Sequence, residues 1–271
     1  MKKLGLLFIA LFAGVLAAGT AFAGNLVVNG STTVLPISQS AAEAFMAENR
    51  DVKLSVSGGG SGNGIKALID GTCDIANSSR FMKDSEVKLA VEKGLYPVPF
   101  AVAIDAIVPI VNPSNKVANL TTQQLQDIYT GRVNNWKAVG GEDKPIVVVG
   151  RDTSSGTFEV WEEKILKKEK VTPKAQVVAS SGAMLQTVAK NKYALGYDGI
   201  GYADDKSVKM LTVNGVKADA KTARSGKYAV SRYLYVFTRG WPTGDVLDFV
   251  NFMQSDEGQK IVVKQGFVPL R

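Results

Sequence analysis

Short β-rich runs and stretches of helical periodicity take turns along the chain. Leu26–Val28 is a short apolar run, and between Pro36 and Asn49 the residues Ile37, Ala41, Phe45 and Met46 share one helical face. Val52–Val56 alternates apolar and polar side chains as a half-buried strand does, and Gly62–Asp70 gathers Ile65, Leu68 and Ile69 at helical spacing. Asp74-Ile75-Ala76 reads as a strand end. Ala101–Val111 reads as a long apolar strand closed by the Asn112-Pro113 turn, and Ile146–Val149 as a buried strand. Thr121 with Gln124 three positions on predicts a capped helix reaching Tyr129. Phe158, Trp161, Ile165 and Leu166 mark another helix, followed by one from Gly182 to about Asn191, a strand over Val230–Phe237 and a last helix from Thr243 to about Gln265. Strands alternating with helices predict an α/β fold with largely parallel sheets.

The first residues break this pattern. Lys2 and Lys3 precede an apolar run from Leu4 to Ala18, and Ala21-Phe22-Ala23 offers small residues at both positions of an A-x-A cleavage site. Charge, apolar stretch and small-residue exit predict a secretory signal removed after Ala23, so residues 1–23 are set apart from the fold. The run is about 15 residues, short of the roughly 20 that span a bilayer, and no second long apolar segment follows. Cys73 is the only cysteine, which rules out an intramolecular disulfide, and it lies too far from the signal to carry a lipid. The expectation is a soluble, unanchored protein of the periplasm.

Composition changes the picture in one respect. The chain has no histidine, which excludes Ser-His-Asp triads, Cys-His dyads and His-ligated zinc. No catalytic residue, metal or cofactor is expected. Without Lys2 and Lys3 the excess of basic over acidic residues falls from 7 to 5. Apart from Lys164–Lys170, placed on the solvated side of an amphipathic helix, those residues are scattered, which argues against nucleic acid and leaves mild steering of a small anion.

One local device recurs: a strand ends, a Ser/Thr/Gly turn follows, and a helix starts. It occurs at Gly30-Ser31-Thr32-Thr33, at Gly58-Gly59-Gly60-Ser61-Gly62-Asn63-Gly64, at Arg151-Asp152-Thr153-Ser154-Ser155-Gly156-Thr157 and at Ser180-Ser181-Gly182, with Asn77-Ser78-Ser79-Arg80 similar in composition. A helix start presents unpaired N–H groups and about half a positive charge, glycine admits a ligand close to the backbone, and hydroxyls add rotatable donors. Any one such turn is explained by plain N-capping. Four or five at the carboxyl ends of strands point to an oxyanion. None closes with the Lys-Ser or Lys-Thr of a P-loop, and none is a G-x-S-x-G elbow.

Arg151 opens one of these turns with a guanidinium suited to an oxyanion, and Arg80 ends another, where an ion pair is an equal alternative. Asp105 interrupts the apolar strand Ala101–Val111, where a charge is costly unless used. Two readings stay open for it: partner of an arginine, or acceptor for the proton of a protonated oxyanion. The second would explain selectivity. Sulfate has the shape of phosphate without its proton, and a site built around one hydrogen bond rejects the analogue lacking it by about 10⁴–10⁵.

Gly-Ser-Thr-Thr with Pro36, Ser-Gly-Gly-Gly-Ser-Gly, Ser-Ser-Arg, Asp105-Ala-Ile-Val and Arg151…Ser155-Gly156-Thr157 resemble, in order, the phosphate-binding proteins of bacterial phosphate ABC transporters. Ser231-Arg232, Leu234-Tyr235-Val236 and Gly258-Gln259-Lys260-Ile261…Gly266-Phe267-Val268-Pro269-Leu270 continue the match to the end of the chain. The resemblance implies a two-lobed periplasmic binding protein of type II-like α/β architecture, the anion held in a cleft between lobes joined by two hinge crossings. Residues 24–103 with 229–271 would form the first lobe and 104–228 the second. It implies phosphate binding by Thr32, Thr33, Ser61 and Ser79 from the first lobe and by Arg151, Ser155, Gly156 and Thr157 from the second. Arg80 is a weaker addition. One branch of the family has a proton-accepting aspartate in the turn matching Asn77–Arg80. Ser79 stands there in this chain, so the role is moved to Asp105. Inorganic phosphate and a membrane permease are the expected partners, the protein itself a monomer. Sulfate, molybdate or tungstate on the same architecture, and a secreted phosphoester hydrolase, are the rival readings.

Overall fold

The computed structural model describes residues 25–203 and 206–271, so the export signal over 1–23 lies outside the described residues. β1 (Asn25–Gly30), β2 (Lys53–Gly58) and β3 (Ile75–Ser78) are parallel strands, linked through α1 (Leu35–Glu48) and α2 (Ser61–Asp70). After α3 (Asp84–Glu92) the chain enters β4 (Val98–Val111), 14 residues long. Beyond it come β5 (Asn119–Leu120), α4 (Thr122–Tyr129), β6 (Val147–Arg151), α5 (Gly156–Trp161), β7 (Gln176–Val178), α6 (Ser181–Lys190) and β8 (Ala194–Gly199). The short β9 (Lys209–Met210), β10 (Thr212–Val213) and α7 (Ala220–Arg224) precede β11 (Ser231–Thr238), α8 (Gly244–Gln254) and α9 (Asp256–Lys264).

The strands form one continuous path, β2-β1-β3-β11-β4-β8-β6-β7, with β9 added beside β4 and β5 pairing β10 separately. β4 belongs to both halves. Its residues from Val98 to Ala106 pair with β11, and Ile107–Val111 pair with β8. The outer strands run parallel as expected from sequence, β1 with β2 and β3, β6 with β7 and β8. The central ones correct that expectation. β11 is antiparallel to both β3 and β4, and β4 to β8, because the chain leaves through β4 and returns through β11 in the opposite direction.

Two main apolar cores lie on either side of this crossing. One packs Leu26, Val28, Ile37 and Phe45 with Val102, Leu234, Val236, Phe249 and Val262. The other packs Ile107–Val111 with Leu125, Tyr129, Trp136, Trp161, Tyr197 and Val230, where Trp161 and Tyr197 stack at 4.3 Å. A smaller cluster under α2 joins Ile65 and Leu68 to Phe237. β3 and β8 are buried along their full length, as strands covered on both faces are. The molecule is thus a two-lobed binding-protein fold with a cleft between lobes.

The Thr121 cap forms as expected: its Oγ1 accepts the Gln124 N–H at 3.1 Å while Gln124 Oε1 accepts the Thr121 N–H at 2.8 Å. Two helix expectations need correction. The last helix is two, because Ser255 adopts an extended conformation and its Oγ accepts the Gly258 N–H, starting α9 afresh. The helix through Trp161 loosens into a π turn over Glu162–Leu166 and stops at Lys167, which is left-handed, so most of the lysine run follows the helix as exposed chain. α3 was missing from the sequence reading. Val87, Leu89 and Val91 are all exposed there and only Ala90 is buried, so no apolar stripe marks it.

Candidate anion site

The strand-to-helix turns converge where the two lobes meet. From the first come Thr32 and Thr33 ahead of α1, Ser61 at the start of α2 and Ser79 after β3, all buried. From the other come Arg151 at the end of β6, Gly156 and Thr157 opening α5, and Ser181 opening α6. Hydroxyls meet across the seam: Thr33 Oγ1 lies 2.8 Å from Thr157 Oγ1, and Thr32 Oγ1 lies 3.4 Å from Ser181 Oγ and accepts the Ser181 N–H. Ser61 Oγ accepts the Ser79 N–H at 3.0 Å and lies 3.2 Å from its hydroxyl. The Gly62 N–H donates across the seam to the Ser154 carbonyl at 2.9 Å.

Two glycines let the lobes come this close. Gly60 has φ of 98°, and a β-carbon there would stand 2.3 Å from Ser154 Oγ. A β-carbon on Gly156 would lie 2.5 Å from Ser61 Oγ and 2.8 Å from Ser79 Oγ. Gly156→Ala should leave each lobe intact while holding the seam apart. Overpacking of this kind costs about 1–3 kcal/mol, so anion affinity should fall about 5- to 150-fold with the unliganded melting temperature unchanged. Calorimetry beside thermal unfolding checks this, and equal affinity in the variant would contradict the closed seam.

Arg151 is nearly fully buried. Nη2 donates to Thr32 Oγ1 at 3.0 Å and Nη1 to Ser181 Oγ at 3.2 Å, while Nε has no partner. Its counter-charge is Asp198 on β8, 3.7 Å away. Asp198 Oδ1 accepts from Ser181 Oγ and the Gly199 N–H, and Oδ2 is buried without a partner. Burial pushes the Asp198 carboxyl upward, offset in part by the Arg151 charge.

Asp105 is fully buried and paired with Arg232. Its Oδ2 accepts from Nε at 2.9 Å and Nη2 at 2.7 Å, and its Oδ1 accepts the Ile200 N–H at 3.0 Å. Of the two readings open from sequence, the fold shows the arginine partnership. Three acceptor directions on the carboxylate are filled. Arg232 Nη2 also donates to Thr157 Oγ1 at 3.0 Å, and Nη1 is buried without a partner.

Arg80 forms the ion pair that was its alternative. Its two terminal nitrogens donate to Glu86 at 2.7 Å each, and Nε stands 2.7 Å from Glu159 Oε2, so its charge faces carboxylates. Arg80 is buried and the two carboxylates are partly exposed. Ser155 serves as the cap of α5, its Oγ accepting the Phe158 N–H. Asp152 accepts from Ser154 and does not hold Arg151.

Ser181, Asp198 and Arg232 were not among the expected site residues. Ser181 lay in a turn already singled out, and Arg232 was quoted only as part of a motif. Asp198 carried the signal that drew attention to Asp105, a carboxylate inside an otherwise apolar run, Ala194–Gly199.

Comparison with known proteins agrees with this architecture. Residues 17–257 match the PBP superfamily domain. The phosphate-binding protein PstS of Bacillus subtilis is 34% identical over 91% of this chain and 81% of its own length. That of Borreliella burgdorferi is 32% identical over 90% and 89%. A phosphate ABC transporter substrate-binding protein of Clostridium perfringens, solved with bound phosphate, superposes with a TM-score of 0.85 at 36% identity, covering 92% of this chain and all of that one. An ABC-type phosphate transport receptor of Vibrio cholerae gives 0.74 at 32% identity over 90% and 99%. With buried hydroxyls and guanidinium groups assembled between two α/β lobes, and with relatives of this identity along nearly its whole length, the chain belongs to the PstS family of phosphate-binding proteins within the PBP superfamily.

Proposed function

We propose that the protein captures inorganic phosphate between its lobes and presents it to the permease of an ABC transporter, without covalent chemistry. The observation that carries this reading is a pair of buried guanidinium groups, each with one nitrogen unpartnered, beside hydroxyls from both lobes. A buried cationic donor without an acceptor is costly, and an oxyanion placed among Arg151, Arg232, Thr33, Ser61, Ser79 and Thr157 supplies the acceptors. Charge-assisted hydrogen bonds contribute about 1.5–3 kcal/mol each, more in sum than any real affinity, so desolvation and closure take much of it back.

Two lobes, 24–103 with 229–271 and 104–228, are in keeping with two separate cores, while β4 changes partner at Ala106/Ile107 and Val230 and Val268 pack with the second core, so the crossings span a few residues on either side of these bounds. Ligand touching both lobes shifts them toward closure, and the permease would read the loaded form from their relative orientation. Among the described residues no helix is long and apolar enough to cross a membrane. Export to the periplasm rests on the signal-like residues 1–23. A monomer is in keeping with a site completed by one chain.

Phosphate is favoured over sulfate by Asp198. Its Oδ2, 3.7 Å from Arg151 Nη1, is buried and accepts no hydrogen bond, which suits a ligand that brings a proton and not one that lacks it. Titration calorimetry on protein unfolded, dialysed free of carried ligand and refolded tests the reading with phosphate, arsenate, sulfate and molybdate. Phosphate and arsenate should bind and sulfate should not, and Asp198→Asn should narrow that gap at least tenfold. Sulfate bound in preference to phosphate would overturn the assignment.

A further inference from the structure

Beside the anion site, the seam between the lobes opens into a groove of about 760 Å³. One wall holds Arg80, Lys83 and Tyr233, the other Glu159, Glu163 and Lys164. Glu159 reaches across it. Its Oε2 lies 2.7 Å from Arg80 Nε and 2.8 Å from Lys83 Nζ, so one carboxylate on α5 meets two cations that follow β3. Arg80 is itself fixed from behind by Glu86 of α3. The Arg80 and Glu159 side chains are 7% and 13% exposed, little enough to escape most screening, and that of Lys83 is 53% exposed. None of these bonds includes the hydroxyls or guanidinium groups of the anion site. Glu159 nevertheless sits in the first turn of the helix opened by Gly156 and Thr157, so pulling on one moves the other.

We propose that Glu159, clasped by Arg80 and Lys83, is a latch between the lobes that sets how long the closed form lasts, and hence the release rate of the anion, without touching it. The latch forms only when the walls of the groove meet, so it stabilises the closed state over the open one, and apparent affinity follows the closed fraction. Because Arg80 alone of the three has a second carboxylate within its own lobe, opening costs Glu159 both cations while Arg80 keeps Glu86. The asymmetry places the switch on Glu159.

This inference rests on phosphate as the ligand only for its kinetic readout. Stopped-flow release of phosphate from Glu159→Gln should be about tenfold faster than from the parent, with association little changed. Lys83→Met, which removes an exposed side chain and poses no folding risk, should move release the same way by a smaller factor. Asp70→Asn, whose ion pairs with Lys66 and Lys93 stay within one lobe and away from the groove, should leave release unaltered. Raising NaCl from about 0.05 to 0.5 M should speed release in the parent more than in Glu159→Gln. A second readout needs no ligand: the distance between spin labels on the two lobes should lengthen in Glu159→Gln. If the parent binds no phosphate, the functional reading fails and this distance still decides the latch. Equal acceleration in Glu159→Gln and Asp70→Asn, or no change in rate and distance in Glu159→Gln and Lys83→Met, would overturn it.

Discussion

Arg151→Ala should weaken phosphate binding by about 30-fold to several thousand-fold, the largest loss expected from any single side chain of the site. The guanidinium is nearly fully buried and holds Thr32 from one lobe and Ser181 from the other, so it is both counter-charge and crosspiece. Truncating one partner of a buried, hydrogen-bonded charge pair costs about 2–5 kcal/mol, which gives that range. Lysine should not rescue it, since a single ammonium cannot hold two hydroxyls and still present the free Nε direction. Removing the arginine also leaves Asp198 buried without a counter-charge, so part of the loss should appear as a lower melting temperature of the unliganded protein. Calorimetry and thermal unfolding on the same preparations separate the two contributions. An affinity within threefold of the parent would remove Arg151 from the site.

Asp105→Asn should act first on stability. The carboxylate is fully buried and takes both Arg232 hydrogen bonds on one oxygen, so neutralising it leaves an uncompensated cation at the lobe boundary. Breaking a buried pair from one side costs about 3–5 kcal/mol, or roughly 6–20 °C in melting temperature for a chain of this size. Affinity should fall as well, because Arg232 positions the Thr157 hydroxyl that faces Thr33. The double variant Asp105→Asn with Arg232→Met should recover part of the stability, since the stranded charge goes with it, and recover none of the binding. Circular dichroism during heating reads the first effect. A single variant as stable as the parent would mean that the pair contributes nothing to the fold.

What sequence could show here was local. Thr33, Ser61, Gly156 and Thr157 were legible because the composition of a strand-to-helix turn is written in consecutive residues, and so was the Thr121 cap. Partnerships were not. Asp105 lies 127 positions from Arg232, and nothing in either neighbourhood names the other, so two roles for the aspartate stayed open until the strands were paired. Arg80 was drawn toward the anion by the turn it ends, while of the carboxylates that claim its charge Glu86 lies in a helix no apolar stripe marks and Glu159 far along the chain. The break at Ser255 did carry a local signal, a serine followed by acidic residues, but apolar periodicity runs across it and outweighed the cap. The antiparallel centre of the sheet follows from the chain leaving and re-entering a lobe, which periodicity does not record.

The place of β11 has a consequence for how the chain is made. It lies between β3 and β4 in the sheet, although its pairs with both join residues more than 120 positions apart. A growing chain therefore reaches residue 230 with the segment packing Tyr129, Trp161 and Tyr197 nearly complete, lacking Val268 and Leu270, while the N-terminal strands still lack their middle member. Contacts so distant are slow to form, because loop-closure entropy precedes any reward. The end of the chain thus acts as a keystone: until residues 231–238 arrive, the first strands have a gap where a neighbour belongs, and the half that emerges first is the half that folds last.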